Sequence, residues 1–176
     1  DDEGNQILDG MSGLWCTNLG YSQPTIVSAV ANQLERLPYY NSFFNCSNDV
    51  ATEMAAALAD FMPSGFEHFF FTNSGSEAND TVIRLVHRYH DLIDKPQKKI
   101  FISRENAYHG STIAAASLGG MSDMHKQFER LPYVHHVMEP YWFGDSQDET
   151  SDEFGIRAAQ SIADKIDELG SENVAA

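Results

Sequence analysis

Strands alternating with helices of ten or more residues predict an α/β domain: a mainly parallel sheet with flanking helices, preceded by a looped entry segment. Three observations carry that expectation. Residues 68–72 and 99–103 form short, nearly continuous apolar runs, the pattern of strands buried on both faces of a parallel sheet. Each run gives way to a polar, glycine-containing loop and then to a helical pattern. Further helical stretches stand before and after them at lengths suited to crossovers.

Residues 5–22 are glycine-rich with a short period. Ile7, Leu8, Asp9 and Gly10 read as a short strand entering a turn; Gly13, Gly20, Trp15 and Tyr21 read as an ordered loop. A helix follows, with Pro24 in its first turn, Ser22 as its expected cap, and Ile26, Val27, Val30, Leu34 and Leu37 along one face. Pro38 stops it, and Tyr39, Tyr40, Phe43 and Phe44 crowd the connection. A second helix is expected from about Asn48 to Phe61, favoured by Ala55, Ala56, Ala57 and Ala59 and ended by Pro63 and Gly65.

After the apolar run 68–72, Asn73-Ser74-Gly75-Ser76 form a tight loop. The helix beyond it should bury Ala78, Val82, Leu85, Val86 and Tyr89. The strand 99–103 leads to a loop reaching Gly110, a short helix to Leu118 and a break at Gly119-Gly120. Residues 133–138 are a candidate strand. Thr150 and Glu153 have capping-box spacing before a helix ending near Leu169, with Gly170 as its stop. Asn173, Val174 and Ala175 read as the approach to one more strand. No repeat or flexible linker divides the chain; the weak boundary lies at 40–48, giving segments 1–45 and 46–176.

The 176 residues suffice for a domain with a sizeable core. Net charge is −15, with 11 basic and 26 acidic residues, which argues against nucleic acid or an anionic membrane surface as a partner. Solubility accounts for the charge. No apolar run approaches the roughly 20 residues of a membrane helix. The opening Asp1-Asp2-Glu3-Gly4 is unlike a signal peptide, so the expected setting is the cytoplasm, with Cys16 and Cys46 reduced. The chain lacks an initial methionine, so residue 1 is not expected to be the translation start. The cysteine spacing fits no zinc pattern, His135 and His136 have no partner pattern, and no metal is expected.

Two loops carry candidate chemistry. In the first, Ser74, Gly75 and Ser76 stand between a predicted strand and a helix N-terminus, where unpaired N–H groups and a partial positive charge suit an anion. Gly75 allows close backbone approach and Ser76 adds a hydroxyl; an ordinary capped turn fits the same residues. In the second, Tyr108, His109, Gly110, Ser111 and Thr112 also follow a strand and open a helix. In a doubly wound sheet such loops converge on the ligand crevice, where an aromatic ring can stack on a planar group. Taken alone, these residues fit a surface Tyr-His pair capped by Ser111 as well.

The string Asn73-Ser74-Gly75-Ser76-Glu77-Ala78-Asn79, followed about thirty residues on by Tyr108-His109-Gly110-Ser111-Thr112, resembles the class III aminotransferases. Leu8-Asp9-Gly10-Met11-Ser12-Gly13-Leu14-Trp15-Cys16 with Gly20-Tyr21 is similar to the ω-transaminase branch, the amine–pyruvate or β-alanine–pyruvate enzymes. So are the stretches 37–44 and 116–121, and the likeness runs through essentially the whole chain.

The resemblance implies part of a fold-type I large domain that binds pyridoxal 5′-phosphate (PLP) and transaminates an amine or ω-amino acid with an α-keto acid such as pyruvate. It gives the cofactor phosphate to the backbone of Gly75 and Ser76 with the Ser76 hydroxyl, counts Ser74 among the cofactor-binding residues, and gives the pyridine ring to Tyr108 and a supporting place to His109. It gives the substrate pocket to Trp15, Phe43 and Phe44, with Tyr108, in a homodimer where Phe43 serves the partner's site; core packing accounts for the three aromatics equally well. None of Lys95, Lys98, Lys99, Lys126 or Lys165 matches the family's catalytic lysine, and the acid that pairs with the pyridine nitrogen has no counterpart either. The chain is therefore expected to be an N-terminal fragment, inactive alone. Another PLP reaction on the same fold, decarboxylation or an aminomutase shift, and a non-catalytic PLP-binding or dimerising piece remain open alternatives.

Overall fold

The computed structural model describes residues 1–146 and 148–176. They form two compact units, Asp1–Phe69 and Phe70–Ala176.

The first unit holds three helices: α1 (Ser12–Trp15), α2 (Pro24–Arg36) and α3 (Asp49–Phe61). Residues 7–10, expected as a strand, pair with nothing among the described residues. α1 is a single left-handed turn, with Ser12, Gly13, Leu14 and Trp15 at φ of 50, 59, 62 and 61°. A non-glycine residue there costs about 1–2 kcal/mol, so such a turn needs specific contacts.

α2 begins at Pro24 as the sequence predicts, but its cap position is Gln23, not Ser22. Ser22 sits at φ 55° and cannot take the extended conformation of a cap residue. α2 stops before Pro38 because the residue preceding a proline is driven to extended conformation; Leu37 has φ −158° and ψ 95°. The apolar face of Ile26, Val27, Val30 and Leu34 exists, but each is about half exposed. α3 is capped by Asn48, whose Oδ1 accepts from Ala51 N at 2.8 Å.

The second unit contains α4 (Gly75–Leu92), β1 (Phe101–Arg104), α5 (Ile113–Leu118), α6 (Ser122–His125), β2 (Val134–Val137), α7 (Trp142–Asp145) and α8 (Ser151–Leu169). β1 and β2 run parallel, pairing Phe101 with Val134 through Arg104 with Val137. On the other edge of β1, Ile100 bridges Val174 in parallel, and Ala175 N donates to Ile100 O at 2.8 Å. The expected approach to a further strand at 173–175 is thus a short parallel pairing.

Residues 68–72, by contrast, form no strand among the described residues. Their composition suits one, but a strand exists only through a partner ladder; without one, Phe70 stays 73% exposed and Phe71 51%. The observed sheet is accordingly smaller than the predicted one, and the chain is mostly helical.

The core joins Ile83 of α4 to Phe101 and Val134 of the two strands, with Val86, Leu118 and Tyr133 packed against them. α8 adds Phe154 and Ala158. The buried line of α4 is Ile83 and His90, with Val86 partly buried, rather than Val82, Leu85 and Tyr89, which remain about half exposed or more. The helix period is right and its phase differs: Ile83 and His90 lie two turns apart on the face that meets α5 and β1. His90 tolerates burial by hydrogen bonding Ala175 O at 3.1 Å. The capping box of α8 is present, with Glu153 N donating to Thr150 Oγ1 and Thr150 N to Glu153 Oε2.

Candidate functional site

The loop into α4 ties some of its backbone donors and leaves others free. Ser74 Oγ accepts from Glu77 N at 3.2 Å, and the Glu77 carboxylate reaches back to Asn73 N at 2.9 Å. Ala78 N already donates to Ser74 O. The N–H groups of Gly75 and Ser76 meet no acceptor among the described residues. They open the eighteen-residue α4, whose aligned peptide dipoles favour negative charge at this end. A side-chain carbon on Gly75 would have nothing within 4 Å, so an anion has room to reach the backbone.

The loop into α5 is stitched to this helix. Asn79 Nδ2 donates to His109 O at 2.7 Å, Ser111 N donates to Ser76 Oγ at 3.1 Å, and the Thr112 hydroxyl donates to Asp80 Oδ1 at 2.7 Å. Thr112 also caps α5 through Ala115 N. Accepting from Ser111 leaves the Ser76 hydroxyl its own proton to give. Gly110 allows this approach: a Cβ there would fall 2.8 Å from Ala115 Cβ and 2.9 Å from Ser76 Cα, and its φ is 131°.

The result is an open hollow of about 410 Å³ lined by Ser74, Gly75, Ser76, Asn79, Tyr108, His109 and Gly110. Both candidate loops therefore face one space. Tyr108 is 66% exposed, leaving ring area for a ligand. Asn79, Asp80 and Gly110 are residues to which the sequence assigned no separate role. Asn79 stands one turn beyond Gly75 and Ser76 on the same helical face, a spacing that could have drawn attention to it. The pairing of Asp80 with Thr112 spans thirty-two residues and has no local signal.

Trp15, Phe43 and Phe44 belong to the first unit and are exposed, with the two phenyl rings 6.4 Å apart. No lysine lines the hollow. Lys98 donates to Ser171 O and Val174 O, Lys99 pairs with Asp91, Lys126 with Asp123 and Lys165 with Glu168. Among the described residues no group of three His, Cys, Asp or Glu is placed to hold a metal ion, and no helix is long and apolar enough to cross a membrane.

The profile of the family described as aminotransferase class-III matches residues 1–176. The chain is 50% identical over its whole length to the putrescine–pyruvate aminotransferase of Pseudomonas aeruginosa, covering 39% of that protein. It is 42% identical to the mitochondrial gamma aminobutyrate transaminase 1 of Solanum lycopersicum, covering 35%. Among solved structures, the ω-transaminase of Pseudomonas jessenii in complex with PMP superimposes over 100% of this chain and 39% of that one, with a TM-score of 0.95 at 39% identity. The thermostable (S)-enantioselective ω-transaminase of Thermomicrobium roseum matches with a TM-score of 0.93 at 34% identity, over 99% of this chain and 39% of that one. The chain thus spans under two-fifths of the length of these curated relatives.

Proposed function

This chain belongs to the class-III aminotransferases, and from that premise we propose that the polypeptide carrying it moves the amino group of an amine or ω-amino acid onto an α-keto acid such as pyruvate, using PLP. The observation that carries the proposal is the hollow at the start of α4. There two free N–H groups, the Ser76 hydroxyl and an aromatic ring share one space of about 410 Å³.

These residues fit the cofactor. The Gly75 and Ser76 amides and the Ser76 hydroxyl supply donors for a phosphate at the positive end of α4. Tyr108 supplies a ring face for the pyridine, and His109, its carbonyl anchored by Asn79, supports that ring. The stitching by Asn79, Ser76 and Asp80 keeps both loops in register, so binding does not have to order them. When bound, PLP supplies the electron sink that lets the donor carbon lose its proton. Trp15, Phe43 and Phe44 contribute apolar surface suited to a donor that lacks an α-carboxylate. The putrescine–pyruvate relative directs attention to small aliphatic amines. The protein works as a homodimer, and the Schiff-base lysine comes from sequence outside these 176 residues.

The test is to incubate the full-length protein and PLP with putrescine, β-alanine or benzylamine plus pyruvate, and to measure alanine. Alanine formation supports the proposal. Carbon dioxide release, or movement of the amino group within the donor with no alanine, replaces transamination by another PLP reaction.

A further inference from the structure

Only Gly13 among residues 12–15 occupies the left-handed region without steric penalty, yet four consecutive residues lie there. The backbone bonds of the turn, Trp15 N to Met11 O at 2.7 Å and Cys16 N to Ser12 O at 3.0 Å, do not select its hand, because a right-handed turn makes the same pattern. The selecting contacts lie outside it. Asp9 Oδ1 accepts from Met11 N at 3.0 Å, and Oδ2 accepts from Gly13 N at 2.7 Å and from the Tyr21 hydroxyl at 2.6 Å. Charge-assisted bonds of this kind are the strong ones. A Cβ on residue 13 would come within 2.9 Å of that hydroxyl, so glycine there lets the clamp close without displacing Tyr21.

Trp15, the last residue of the turn, is 75% exposed. With Leu19, Tyr21 and Ile26 it lines a hollow of about 550 Å³ within the same unit. The backbone of the turn sets where the Trp15 side chain leaves the chain and which rotamers it can adopt.

We propose that Asp9, braced by the Tyr21 phenol, is a positioning residue: it holds the left-handed turn and thereby fixes where the Trp15 indole stands at the hollow it lines with Leu19, Tyr21 and Ile26. The role of the indole rests on the transaminase proposal above; the placing of it does not. Asp9→Asn keeps the size of the side chain but replaces one acceptor oxygen by a donor, so the clamp cannot take all three bonds. Tyr21→Phe removes one bond and serves where Asp9→Asn does not fold. Ser12→Gly removes a steric penalty of the turn and should restore it without the clamp.

The experiment uses the full-length holoprotein labelled with fluorotryptophan, the Trp15 resonance being assigned by its loss in Trp15→Phe. Asp9→Asn is expected to shift or broaden that resonance, and the double variant Asp9→Asn/Ser12→Gly to bring it back. In parallel, and resting on the transaminase proposal, KM for benzylamine should rise severalfold in Asp9→Asn. The kcat should stay within about twofold, and the double variant should recover KM. A Trp15 resonance unchanged by both Asp9→Asn and Tyr21→Phe overturns the positioning role, whatever the activity. A wild-type protein that consumes no amine donor overturns the transaminase proposal and leaves the Asp9 clamp to be judged by the Trp15 resonance.

Discussion

Ser76 and Gly110 meet so closely that neither tolerates a change the other does not feel: the serine hydroxyl accepts from the loop that the glycine lets in. The sequence marked Ser76 through its place before a helix, and Gly110 only as a member of a motif. The left-handed run at Ser12, Leu14 and Trp15 was not legible, because no intrinsic preference of these residue types selects it; the Asp9 carboxylate bonds to the turn at Met11 N and Gly13 N. His136 shows another residue-scale effect. Burial holds its pKa below the ordinary histidine value, against the pull of the Leu118 carbonyl that its Nε2 meets at 3.2 Å. His125, 5.3 Å away ring to ring, and Arg130 push in the same direction as burial. The charged form is penalised in the fold, so the unfolded chain binds more protons between the two pKa values. Stability from this group is complete above the unfolded value, about 6.5, and is lost as pH falls toward the folded one. Urea midpoints at pH 7.5 and 5.5 should fall with pH, and His136→Gln should flatten that slope.

At the scale of the element, caps were more legible than faces. Asn48, Ser74 and Thr150 each accept from the backbone three residues on, in the pattern their residue types favour, while at α5 the cap is Thr112, one residue beyond the expected Ser111. Ser22 failed because its backbone is left-handed and the cap moved to Gln23. Thr150→Ala should cost about 1 kcal/mol of stability through loss of the α8 cap, read as a shift of the urea midpoint at unchanged slope. An unshifted midpoint would mean that α8 is held by Phe154 and Ala158 alone. The face of α4 was misphased because Ile83 and Val82 are both apolar, and hydrophobic spacing fixes the period without choosing between adjacent lines. What chose Ile83 is its contact with Phe101 and Val134.

For the whole molecule, the decisive fact is how much apolar surface stays uncovered. None of residues 1–69 is buried, and Ile26, Val27, Val30 and Leu34 of α2 share one exposed face. On α4, Val82, Leu85 and Tyr89 form another, and Phe70 and Phe71 stand free of any ladder. Patches of this kind on a solitary chain favour association. The 176-residue chain expressed alone should therefore self-associate, with a light-scattering mass of at least twice 19.6 kDa at micromolar concentration. A monodisperse monomer at that concentration would show that these faces need no cover.

By itself the sequence determined the family, the positions of the two candidate loops, the start of α4, and the extent of helices α2, α3, α5 and α8. Those properties are local: cap chemistry, turn residues and apolar periodicity act within a few positions along the chain. Tertiary structure alone decided which face of α4 is buried, that residues 68–72 lack a ladder, and that Asn79 and Asp80 fasten the second loop to the first. Each of these depends on a partner brought near by folding, and neither a hydrogen bond across thirty residues nor a strand without its neighbour leaves a signal in local spacing.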